Sequence, residues 1–144
     1  MKTASASFTA VLLFTSISMG CSGVSSYSGL ANNELVQSIM KQVGATSSQA
    51  IGGSGALLNL AQNKLPEADA AKLSQSVPGM NQIVEQSKSL GGFSNIRSLA
   101  DANAVMAKLG MNPSQASQMP QAVAGYVESK TGPDVAGLLQ NIWR

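Results

Sequence analysis

From Ala31 onward, apolar residues recur at intervals of three and four, the spacing that places them on one face of an α-helix. Leu35, Ile39 and Val43 stand four apart, with Val36 and Met40 beside them, and Gly44 follows as a helix stop. Leu57, Leu58, Ala61 and Leu65 continue the spacing in a second segment. Pro66-Glu67 reads as the first turn of a short helix carrying Ala70, Ala71 and Leu73. Pro78 opens the next helix, where Met80, Ile83, Val84 and Ser87 share a face, and Gly91-Gly92 breaks it. Ile96, Leu99, Ala102, Val105, Met106 and Leu109 predict a long amphipathic helix ending at Gly110. Asn112-Pro113 supplies an N-cap and a first-turn proline for a helix with Ala122, Val123, Tyr126 and Val127 on one side. Thr131-Gly132-Pro133-Asp134 then opens a last helix with Val135, Leu138, Leu139 and Ile142, and Trp143 at its end. No stretch alternates with period two. The expectation is an all-α bundle of about six to seven short helices forming a single helical domain over 34–144.

A shift of 66 residues lays part of this pattern on itself, with 7 identities over the 26 positions from 39 to 64. Met40 falls on Met106, Gly44 on Gly110, Ser48-Gln49-Ala50 on Ser114-Gln115-Ala116, Ala56 on Ala122 and Lys64 on Lys130. Gly52-Gly53-Ser54 lines up with Gln118-Met119-Pro120, and both triplets are expected to interrupt a helix. Two related helix-pair units are one reading, each burying the other's apolar stripe. Chance similarity in a sequence of low diversity is the other.

The first twenty residues have a different character. Lys2 precedes an apolar run from Phe8 to Ile17, and Ser18 and Gly20 flank Met19 directly before Cys21. That order is a secretory signal, and the run is too short for a membrane span, which needs about 20 residues. Ser18-Met19-Gly20-Cys21 resembles the bacterial lipobox, whose cysteine is acylated before cleavage, although Ser18 stands where that pattern prefers Leu. An ordinary small-residue cleavage site would instead leave a bare thiol. The following Ser/Gly-rich residues 21–33 have the composition of a flexible tether, which favours lipidation of Cys21, the only cysteine of the chain. The expected destination is the cell envelope, anchored in the outer membrane and facing the periplasm. A soluble periplasmic or secreted product is the alternative.

Composition narrows the chemistry. Charged residues make up only 11% of the chain, so its surface is wetted mostly by Ser, Gln and Asn. Basic residues are scattered, Lys64 and Lys72 being the nearest pair, and nucleic-acid binding needs them clustered. There is no His, so neither a histidine triad nor a histidine metal site exists. Gly52-Gly53-Ser54-Gly55 matches neither the phosphate-loop nor the nucleophile-elbow spacing, and its glycines suit a backbone break and close helix approach. Ser38-x-x-Lys41 lacks the companion motifs of penicillin-recognising enzymes. Glu67 and Asp69 sit two apart, which on a helix points them away from each other, so no metal or cofactor is expected. Phe93, Tyr126 and Trp143 are expected in the core, with Trp143 beside Arg144 alternatively an exposed anchor for a partner.

The run Val43-Gly44 and Ser48 to Ala61, with Val77-Pro78-Gly79 and the segment from Leu109-Gly110 to Leu139, resembles the VcgC/VcgE-type family of uncharacterised bacterial proteins. The resemblance covers roughly residues 34 to 142. It implies an all-helical domain of the bacterial envelope and brings no catalytic or binding residues with it. The expected function is a non-enzymatic, lipid-anchored interaction module with an unidentified envelope protein as partner. A carrier of a small apolar or lipid-like ligand, held between the two units, is the alternative.

Overall fold

In the computed structural model, which describes residues 29–144, the apolar stripes lie on helices and no residue among those described is in a strand. The expected signal segment and Cys21 lie outside the described residues. Residues 29–31 are helical, and after them seven further helices follow in order among the described residues: α1 (Glu34–Val43), α2 (Ser47–Lys64), α3 (Glu67–Ser76), α4 (Met80–Gly91), α5 (Leu99–Lys108), α6 (Pro113–Thr131) and α7 (Pro133–Ile142). Their ends are fixed by local chemistry. Thr46 with Gln49, Ser98 with Asp101, and Asn112 with Gln115 each form a capping box, in which side chain and backbone satisfy each other's free N–H groups. Gly44 and Gly110 stop α1 and α5 in the left-handed region, at φ 67° and 76°, where residues bearing a Cβ are disfavoured.

α2 is the axle of the fold. Every residue from Ala50 to Ala61 is buried, because α1, α4, α5, α6 and α7 all pack on it. Such all-round burial makes its glycines useful inside a helix, and Gly52-Gly53-Ser54 does not break the chain as the sequence suggested. A Cβ at Gly52 would strike the Leu109 side chain, one at Gly53 the end of Met119, and one at Gly55 both Ser87 and the Ile83 carbonyl. Three neighbours therefore reach the α2 backbone on three sides. Gln118-Met119-Pro120 likewise runs inside α6, where Met119 is fully buried and holds the helix in place across the proline. Ile96 corrects a third expectation. It is buried in the loop before α5, and the helix begins at Leu99 after its Ser98 cap.

The internal repeat extends further in structure than in sequence. Shifting α1, α2 and α3 by 66 gives 100–109, 113–130 and 133–142, and the observed α5, α6 and α7 match these bounds within one residue. The two units pack crosswise, α1 against α6 and α5 against α2. Equivalent glutamines tie them: Gln49 Nε2 donates to the Leu109 carbonyl (3.2 Å) and Gln115 Nε2 to the Gly44 carbonyl (3.0 Å). Each apolar stripe is thus covered by the opposite unit. α4 has no counterpart among the described helices.

Exposed charges staple the periphery. Lys130 Nζ meets the Glu34 carboxylate at 2.8 Å and lies 5.6 Å from the Tyr126 ring centre. The Lys130 hydrogen bond holds the Glu34 carboxyl below its ordinary range, and the Arg97 and Ser98 backbone N–H groups do the same for Asp101. Glu34 in turn raises Lys130. A lowered carboxyl contributes stability that is complete above its unfolded pKa and disappears as pH falls through the folded value. A raised lysine contributes stability that is complete below its unfolded pKa and disappears as pH rises through the folded value. Stability should therefore be flat near neutrality and decline slightly at both extremes, since water screens these pairs. NMR titration checks this. Glu34 and Asp101 titrating at ordinary carboxylate values would contradict it.

Candidate functional site

The residues of the sequence motifs considered for chemistry make local bonds within the chain. Ser54 is fully buried and donates to the Ala50 carbonyl at 2.6 Å, inside its own helix. Ser87, also buried, donates to the Gly52 carbonyl at 2.6 Å and so locks α4 onto α2. Ser38 accepts a hydrogen bond from Gln42, and Asp69 pairs with Lys72 at 3.3 Å, apart from Glu67. Among the described residues no three acidic or thiol side chains gather to hold a metal ion. No described helix is long and apolar enough to cross a membrane.

The larger opening of interest is a groove of about 620 Å³ between α5, α6 and the end of α7. Leu99 and Asn103 form one wall, Ala116, Pro120, Gln121 and Gly125 the floor, and Gln140, Trp143 and Arg144 the other wall. Helix geometry produces this surface, because Ser117, Gln121, Gly125 and Glu128 are spaced three or four apart on the side of α6 away from the core. The groove is mixed in character, with apolar patches among uncharged amides. Its charges, Glu128 and Arg144, make no ion pair with any described residue. A smaller cleft of about 400 Å³ near Lys72, Lys130 and Asp134 is open and charged, and offers less apolar surface.

Three local features belong to residues that line this groove. Trp143 is only 4% exposed, which rules out its reading as an exposed anchor, yet its Nε1 is the buried side-chain polar atom without a hydrogen-bond partner among the described residues. A buried N–H left unsatisfied costs roughly 1–3 kcal/mol. Pro120 has no N–H, so the carbonyl of Ala116, another lining residue, lacks its ordinary helical donor. Gly125 sits in mid-helix with nothing within 4 Å of where its Cβ would be. Unlike Gly52, Gly53 and Gly55, it weakens the helix without permitting any contact within the chain. Gly125→Ala should accordingly raise the stability of the isolated protein by about 0.5–1 kcal/mol. A loss of stability in chemical denaturation would show that the backbone there needs glycine.

Sequence reasoning did not find this surface. The usable signal was a contrast between the repeats: Gly55 and Asn59 on α2 are buried, while their equivalents Gln121 and Gly125 on α6 are exposed. That contrast has meaning only once the helices and their neighbours are known.

No curated protein and no solved structure matches the chain significantly. The sequence pattern of one family matches residues 16–143, a span that starts ahead of the helical segments carrying the resemblance. With nearly its whole length matched, this chain belongs to the protein family of unknown function VcgC/VcgE.

Proposed function

We propose that the protein is a non-enzymatic helical binding module, held at a membrane of the cell envelope by fatty chains on Cys21, with the α5–α6–α7 groove as its working surface. The observation that carries the binding reading is the groove itself, whose floor residues Gln121 and Gly125 stay exposed between three helices with no described residue over them. The charged, apolar and small-residue order of the first twenty residues, followed by a Ser/Gly-rich segment, supports the anchor. The apolar-ligand carrier is the weaker reading because side chains of the second unit pack directly on the α2 backbone. Beside Gly53 stand Met119, Met111 and Met106, and beside Gly52 stands Leu109.

Mass measurement of the mature protein from membranes, with Cys21→Ala beside the wild type, tests the anchor. The account expects a chain beginning at an acylated Cys21, and release of Cys21→Ala from the membrane fraction. A bare thiol, or retention of the opening residues, contradicts it. Native isolation from the same membranes tests the binding reading, which fails if the protein is recovered monomeric and alone.

A further inference from the structure

We infer that the groove on α6 seats one amphipathic helix of a different protein, at the place corresponding to the α2 face that α4 and its following loop cover. The inference rests on the binding reading above and specifies its partner. In the first unit, Ser87 and the Ile83 carbonyl of α4 lie against Gly55, and the backbone of Ile96 is bonded to Asn59. A shift of 66 turns Gly55 and Asn59 into Gln121 and Gly125, both exposed in the groove, with no described residue roofing them. The neighbouring positions agree. Ile51 and Ser54 are fully buried, whereas Ser117 is exposed and Pro120 half-buried.

The occupant's chemistry follows from what the groove leaves open. Gly125 permits a close backbone approach, as Gly55 does for α4. Gln121 and Gln140 line the groove together with Leu99 and Pro120, so the occupant should bring uncharged polar groups among its apolar ones. Glu128 and Arg144 are unpaired, so a base and an acid belong on the occupant's flanks. A concave floor takes a convex ridge. The chain's own described surface offers little of that kind, since Leu138 is its one large exposed apolar residue. A second copy is therefore a poor occupant, and a different protein is the one assigned.

The test places a photo-crosslinking residue at Gln121 or Gln140 of the full chain, and a control at the exposed Gln75 of α3, in native cells. The expected result is adducts from both groove positions to one segment of one other protein, at residues three, four or seven apart. Gly125→Leu should abolish both adducts while leaving the thermal midpoint unlowered. Scattered adduct positions, or adducts to a second copy, to this chain's residues 1–28, or to lipid or another small molecule, would overturn the inference. Adducts to another protein from Gln75 alone would overturn it and leave the binding reading standing. No adduct at any position would remove both.

Discussion

Gly55→Ala is expected to destabilise the protein by about 3 kcal/mol, from about 1–3 kcal/mol for overpacking a filled core plus the loss of a hydrogen bond. The added methyl would meet the Ser87 side chain and the Ile83 carbonyl oxygen, the latter at 2.7 Å. A backbone atom of a packed helix cannot turn aside, so α4 must move away from α2. That movement also breaks the bond from Ser87 to the Gly52 carbonyl. For a domain of this size the melting temperature should fall by about 10 °C. Gly53→Ala is the informative companion, because its methyl meets the terminal carbon of Met119, which can rotate away. Its cost should be about 1 kcal/mol or less. Thermal unfolding of the two variants checks the order. Equal losses would mean that α4 does not rest on the α2 backbone.

Asn59→Ala should cost about 2 kcal/mol, for a different reason. The Asn59 Oδ1 accepts the buried N–H of Ile96 at 2.9 Å and a bond from Asn63 at 3.3 Å. Alanine leaves the Ile96 N–H buried without a partner, at a cost of roughly 1–3 kcal/mol. Asn63 also holds the Ile96 carbonyl at 3.1 Å, so the two asparagines together pin the loop between α4 and α5. Hydrogen exchange should show the Ile96 amide losing protection while amides in the middle of α2 keep theirs. An unchanged Ile96 amide would show that packing of its side chain alone holds the loop.

These two sites illustrate what could be read from the chain in advance. Helix ends were legible wherever the cap is local: Gly44, Gly110, Asn112-Pro113 and Gly132-Pro133 all stand where the helices stop or start. At Gly52-Gly53-Ser54 glycine's local preference argues for a break, yet the helix runs through. Burial on every side overrides that preference, and burial is a property of the neighbours. Ile96 continued the helical spacing and yet lies in a loop, because a side chain 37 residues away bonds its N–H. The repeat was visible only from 39 to 64. Of its extension through α3 and α7, Ala70 with Ala136 and Leu73 with Leu139 are the shared residues, both lying on inward faces. The groove was not legible at all. It is made of residues unremarkable one by one, such as Gln121 and Gln140, brought together by the packing of three helices.

The account turns on the groove being occupied where the protein works. Cys21 is the only cysteine, and as an acylated residue it would not react with thiol reagents, so an introduced cysteine would report alone. Maleimide labelling of Gln121→Cys should be blocked in native envelope membranes and rapid in the purified protein, with Gln75→Cys labelled equally fast in both. Equal labelling of Gln121→Cys in membranes and in isolation would contradict the account.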